Sequence, residues 1–395
     1  MRDRVGLTKD LWLALALLWL AGNALRITIL SLPPVIAPVR DELGLSATQI
    51  GVLSGVGPAM FATTAIVGSV MVARLGLKAA LIGGLAIVVL GSALRGWSAG
   101  FVSLLTTSIV MAAGVAIMQP AMPTAVRRWL PDRVGLGTAV YGNGLLVGEC
   151  VPVLFTIPWL LPLVGGSWRA SFVAWSVPIA AIAVVLAFFA PRAAPASPAT
   201  APPPRRWMPD WHHGLVWRLG ALIGSINAIY FAINGFLPVY LAGEGRADLI
   251  ADALVALNVA QLPGSVLLLA VAHRLEGRWW PFAAAGLLAL AGVAGLVLMV
   301  GPWTIVWASL VGVAEGGALI VGLMLPALLC RPEDVARTSA GMFTLSYGGA
   351  LAVGVLSGVV WDVSGRPALA FVPIAACAIV LTAMPIAMRA RGELR

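Results

Sequence analysis

Apolar side chains run along most of this chain for twenty residues or more with few or no charges, and the interruptions between runs are short, polar and rich in Gly, Pro and Arg. The runs cover residues 11–33, 48–73, 79–97, 101–126, 134–162, 168–190, 214–241, 250–272, 279–300, 303–328, 336–361 and 367–389. About 20 helical residues cross a hydrocarbon layer of ~30 Å, and a helix satisfies its own backbone there. Each run therefore predicts a transmembrane helix, and the chain reads as an all-α membrane protein with twelve of them. Residues 191–213, mostly Pro and Ala and then Arg205-Arg206, separate six runs from six and have the composition of a polyproline-like or disordered linker. The expected organisation is an N-terminal six-helix bundle over 1–190, a cytoplasmic linker over 191–213 and a C-terminal six-helix bundle over 214–395.

The two halves echo each other. Asn23-Ala24-Leu25-Arg26-Ile27-Thr28-Ile29, ending in Pro34-Val35, lies 204 positions ahead of Asn227-Ala228-Ile229-Tyr230-Phe231-Ala232-Ile233, ending in Pro238-Val239. The basic turn Val72 to Lys78 has a counterpart in Val271 to Arg278, again about 200 positions on. Repeated halves of this kind predict two pseudo-symmetric bundles serving one central site.

Composition agrees: 60% of residues are hydrophobic, 10% are charged and the mean hydropathy is +0.98, far from soluble averages. The net charge of +9 reflects topology. With the N-terminus inside, only Arg40, Arg95, Arg169, Arg246 and Arg366 fall outside and Arg26 falls within the apolar layer. The remaining basic residues lie on the inner side, so the positive-inside rule expects both termini in the cytoplasm. Arg2 to Ala24 has the outline of a signal peptide, but the apolar run continues to Pro33, so a retained first helix is expected. A soluble basic face suited to nucleic acid is missing from this pattern. Cys150, Cys330 and Cys377 have no metal spacing, and His212, His213 and His273 fall at the cytoplasmic side. Without a P-loop or nucleophile elbow, neither an enzyme nor an ATP-driven pump is expected, and neither cofactor nor metal.

Several stretches carry a resemblance. Arg26 precedes Pro34, and Arg40 precedes Gly44-Leu45-Ser46; Leu94-Arg95 closes helix 3; helix 4 holds Gly114, Gln119, Met122-Pro123 and Arg127-Arg128; helix 7 holds Ile226-Asn227, Tyr230 and Leu237-Pro238-Val239-Tyr240. With its twelve helices in two halves, the chain resembles the major facilitator superfamily over essentially its whole length, and within it the cyanate/2-nitroimidazole transporter family. The resemblance implies alternating access with helices 1, 4, 7 and 10 around the cavity, and import of a small anion or weakly acidic heteroaromatic compound. Two departures stand out. Gly68 is followed four positions later by Val72, where the superfamily usually has an acid, and Asn23 is separated from Arg26 by two residues, where the family has one.

Arg26 is the leading candidate. It sits about 22 Å along helix 1, where an arginine costs at least ~2.5 kcal/mol and calls for a compensating group. A guanidinium offers paired donors to a small anion; the bland reading is a permanent ion pair. Asn23 shares its face, as Asn227, Tyr230 and Asn234 share a face of helix 7, with interhelical glue as their bland alternative. Gln119 and Tyr347 complete the expected substrate site, and Asn143, Asn258 and Gln261 are secondary cavity-wall candidates. Glu149 in helix 5 and Glu315 in helix 10 are carboxylates in apolar surroundings, hence candidates for proton coupling; Glu149 is also a candidate partner of Arg26. The expected protein is a monomeric secondary transporter in a bacterial-type inner membrane, taking up a small anionic or heteroaromatic solute, with protons as the candidate coupling ion. The alternatives are a proton-antiport exporter of drug-like compounds and a receptor that binds without transporting.

Overall fold

A computed structural model describes residues 9–191, 209–263, 275, 277–331 and 334–395. Every regular element among them is helical: α1 (Lys9–Leu30), α2 (Ile36–Leu43), α3 (Ala47–Leu75), α4 (Leu77–Arg95), α5 (Phe101–Met118), α6 (Ala121–Trp129), α7 (Val134–Phe155), α8 (Trp168–Phe189), α9 (Gly214–Gly243), α10 (Ile250–Val259), α11 (Trp280–Leu298), α12 (Thr304–Leu329), α13 (Val335–Ser364) and α14 (Phe371–Ala390). Ten segments among the described residues are long and apolar enough to cross a bilayer. The other two expected spans are α3, a helix of 29 residues, and the run that begins with α10 and continues outside the described residues. The expected linker lies outside them except at its two ends, as does His273.

Prolines shape the spans instead of ending them. Pro33 and Pro34 donate no N–H, so α1 stops at Leu30, but the chain turns through a short 3-10 segment, Pro33–Val35, and resumes as α2. Arg40, expected on the outer side beyond the first apolar run, is therefore helical. Gln119-Pro120 likewise breaks the fourth span into α5 and α6. The outward faces are apolar, as a lipid solvent requires: Leu163, Phe188, Leu298 and Val363 are each about four-fifths exposed, a distribution that would aggregate in water.

The chain divides into two compact units. One gathers the residues up to Leu32 with those from Thr63 through α8; the other gathers Pro33–Ala62 with the described residues from 209 onward. In the first, α1 packs on α7 and α8, and α4 on α5 and α8. In the second, α9 is the hub, packed on α13, α14 and α12, and is buried from Leu219 through Leu241 except at Ala221. Lipid supplies no hydrophobic drive between helices, so close backbone approach must hold them together. Small residues sit at the closest crossings: a Cβ at Gly55 would lie 2.8 Å from Leu351 Cα, and one at Gly148 would lie 2.6 Å from the Asn23 carbonyl. In the second unit Asp362, near the end of α13, accepts from the Ala47 and Thr48 amides at 2.8 Å each and from the Thr48 hydroxyl at 2.6 Å. That carboxylate satisfies orphan donors at the start of α3.

Candidate functional site

In the first unit, α1 and α7 run so close that Gly22 faces the Tyr141 carbonyl, Gly144 the Trp19 carbonyl and Gly148 the Asn23 carbonyl. Glu149 follows Gly148 directly. The close crossing brings its Oε1 to 3.2 Å from Arg26 Nε, the two side chains being 12% and 10% exposed. The pair therefore lies inside the protein but is not sealed. Asn23, one turn before Arg26, is buried and donates to the Trp19 carbonyl at 2.9 Å. The Trp19 indole donates to Asn143 Oδ1, also at 2.9 Å. Asn143 is exposed, and Gln119 is half-buried at the α5–α6 break.

The helix-7 candidates come together in the second unit. Tyr230 donates to Asn258 Oδ1 at 2.7 Å, Asn258 donates to Asn234 Oδ1 at 3.0 Å, and Asn234 donates back to the Tyr230 carbonyl at 2.9 Å. These three form one buried network in which Asn258 is the hub. Asn227 donates instead to Ser346 Oγ on α13 at 2.7 Å. Tyr347 stands edge-on to Phe61, centroids 5.3 Å apart, and stacks on Phe343 at 5.8 Å. Gln261 is buried where α10 meets α12; a Cβ at Gly316 would come within 2.7 Å of its own. Glu315, the residue before Gly316, is 3% exposed, and neither of its oxygens has a hydrogen-bond partner among the described residues.

Arg95 adds a charge that sequence reasoning placed in an outer turn. It ends α4 yet is 1% exposed. Its Nη1 donates to the Thr28 carbonyl of α1 at 2.9 Å and approaches Met111 Sδ at 3.5 Å, and its guanidinium lies 3.9 Å from the Phe172 ring centroid. The signal in the sequence was a lone Arg flanked by apolar helices on both sides.

Chemically, the first unit offers a cation that already holds a carboxylate at a partly accessible place. The second offers amide, hydroxyl and phenol groups, with one buried acid, Glu315. Neither resembles a metal centre: no group of three metal-ligating side chains occurs among the described residues.

Residues 11–355 match the family model described as Major Facilitator Superfamily. A relative in Bacillus subtilis (strain 168), the uncharacterized transporter YycB, is 25% identical over 381 residues, covering 95% of this chain and 92% of its own. The cyanate transport protein CynX of Escherichia coli (strain K12) is 24% identical over 317 residues, covering 79% and 80%. The fold is similar to that of the nucleoside transporter NupG, with a TM-score of 0.77 at 14% identity, covering 95% of this chain and 99% of that one.

Proposed function

Because the chain belongs to the Major Facilitator Superfamily, we propose that it is a secondary transporter of a small anion or weakly acidic heteroaromatic solute, taken up together with a proton. Its family moves solutes across membranes and does not transform them, so it is no enzyme. The observation that carries the anion reading is the Arg26–Glu149 pair, 3.2 Å apart within apolar spans. A guanidinium can give paired hydrogen bonds to one planar anion, and here a carboxylate occupies part of that capacity. A proton delivered to Glu149 Oε1 removes its negative charge, and the incoming anion takes its place against Arg26. One positive and one negative charge then move together, and the arginine is never left bare in the membrane.

The similarity to CynX supports the substrate class, and the distribution of Lys and Arg supports an inner-membrane orientation with both termini in the cytoplasm. Asn23 and Gln119 in the first unit, and Asn227, Tyr230, Asn234 and Tyr347 in the second, are the further polar candidates. In this reading residues 1–190 and 214–395 are the moving bodies of a monomer.

The test is thermal shift of the purified protein with cyanate and with 2-nitroimidazole, wild type against Arg26→Ala. A ligand at 100 times its Kd adds about 2.7 kcal/mol of stability, so wild type shifts upward and the variant does not. Equal shifts in both overturn the assignment of Arg26. Glu315 favours a second reading, an exporter exchanging protons for apolar compounds, since a buried acid with no hydrogen-bond partner among the described residues suits a proton carrier. That reading predicts that Arg26→Ala still transports neutral substrates.

A further inference from the structure

Helix α1 ends where Pro33 and Pro34 can donate nothing to its last turns. One residue before the two carbonyls that those prolines leave without a helical donor, the Thr28 carbonyl accepts from the Ser31 hydroxyl at 2.8 Å and from Arg95 Nη1 at 2.9 Å. Arg95 reaches it from α4, wedged between Met111 of α5 and the ring of Phe172 of α8. Among the described residues it has no carboxylate partner and its Nε has no hydrogen-bond partner. A guanidinium buried without a counter-ion is costly, and an aliphatic side chain would fill the same space without that cost. What Arg95 does that an aliphatic side chain cannot is donate a charge-assisted hydrogen bond to the negative end of α1.

The carbonyl it holds is two residues from Arg26. Sliding α1 along its axis by two residues, ~3 Å, or rotating it enough to turn Arg26 away from Glu149, would carry Thr28 out of reach of Arg95. The other contacts of Arg95, Met111 and the Phe172 ring, lie on α5 and α8, which do not move with α1, so they hold its guanidinium back. We infer that Arg95 is a positioning residue, which fixes the height and rotation of α1 and so aims Arg26 at Glu149 and at the anion. This rests on the reading of Arg26 as the anion-recognising group.

The experiment is isothermal titration of cyanate into purified wild type, Arg95→Gln, Arg95→Lys, Arg26→Lys and the Arg26→Lys/Arg95→Gln double variant, well below each melting temperature. The expected result is a Kd raised about tenfold or more in Arg95→Gln. Arg95→Lys should restore it to within about threefold of wild type, since an ammonium can still donate to Thr28. The double variant should bind no worse than Arg26→Lys alone, because Arg95 acts through Arg26. A wild-type Kd in Arg95→Gln, or losses that multiply in the double variant, overturns the inference while leaving the anion site intact. If Arg95→Gln fails to fold, Phe172→Leu, which removes the ring supporting the guanidinium, takes its place. A raised Kd that disappears on the Arg26→Lys background supports the inference, and a wild-type Kd overturns it. Wild type and Arg26→Ala binding cyanate equally would instead remove the anion site itself, and with it this role for Arg95.

Discussion

Glu149 reaches Arg26 because the residue before it is a glycine: Gly148 lets α7 approach so near that a Cβ there would stand 2.6 Å from the Asn23 carbonyl, and Oε1 of the glutamate then lies 3.2 Å from the arginine Nε. Pair and crossing are one feature. The ion pair is short because the backbones touch, and the backbones touch because side chains are absent at Gly22, Gly144 and Gly148.

Enlarging Gly148 is therefore predicted to act at a distance from itself. Gly148→Leu should cost roughly 1–3 kcal/mol by overpacking, seen as a lowered melting temperature in detergent. It should also weaken anion binding although no anion touches residue 148. Wild-type anion affinity in a destabilised Gly148→Leu would separate the crossing from the site.

Removing one partner of the pair takes that counter-charge from the other within the apolar layer. Arg26→Met and Glu149→Met should each destabilise by about 3–5 kcal/mol, while the double replacement should recover most of that loss. Thermal melts of the four proteins form the cycle. Additive single effects would mean that the 3.2 Å contact carries no coupling.

Proton coupling makes a separate prediction. If protonation of Glu149 admits the anion, uptake by wild type rises as the outside pH falls, and Glu149→Gln, which mimics the protonated side chain, takes up or exchanges anion with little dependence on pH. Proteoliposome counterflow at several pH values reads this directly. A pH response in Glu149→Gln as steep as in wild type would move the proton site elsewhere, with Glu315→Gln the next variant to measure.

Asp362 holds the start of α3 through three hydrogen bonds. Asp362→Ala should cost about 0.5–2 kcal/mol, the range for loss of a helix cap. Thr48→Ala, which removes only the hydroxyl arm, should cost less. A melting temperature unchanged in Asp362→Ala would show that the cap contributes nothing to stability.

In the helix-7 network, Asn258→Leu removes the acceptor of Tyr230 and the donor to Asn234 at once. Polar contacts between membrane helices average ~0.6 kcal/mol, so the stability loss should be about 1 kcal/mol. If Tyr230 and Asn234 also touch the solute, affinity falls by more than that. An unchanged affinity with lowered stability would mark the network as glue.

What the sequence determined by itself were the quantities that one helix decides. Run length and the absence of charge set the spans, because the bilayer imposes a length and forbids unsatisfied backbone; the repeat at 204 positions identified Asn227 and Tyr230 as counterparts of Asn23 and Arg26; and the 3.6-residue period put Tyr230 and Asn234 on one face. The sequence also marked Glu149 as an odd acid that could serve Arg26. It did not decide which polar groups share bonds. Asn258 as the hub between Tyr230 and Asn234, Ser346 as the partner of Asn227, and Arg95 reaching Thr28, 67 residues away, all depend on which helices touch and at what height. Those choices rest on packing between segments remote along the chain, where missing Cβ atoms and proline breaks set the separation. A period within one helix shows which way a side chain faces, but only the neighbouring helix determines what it meets.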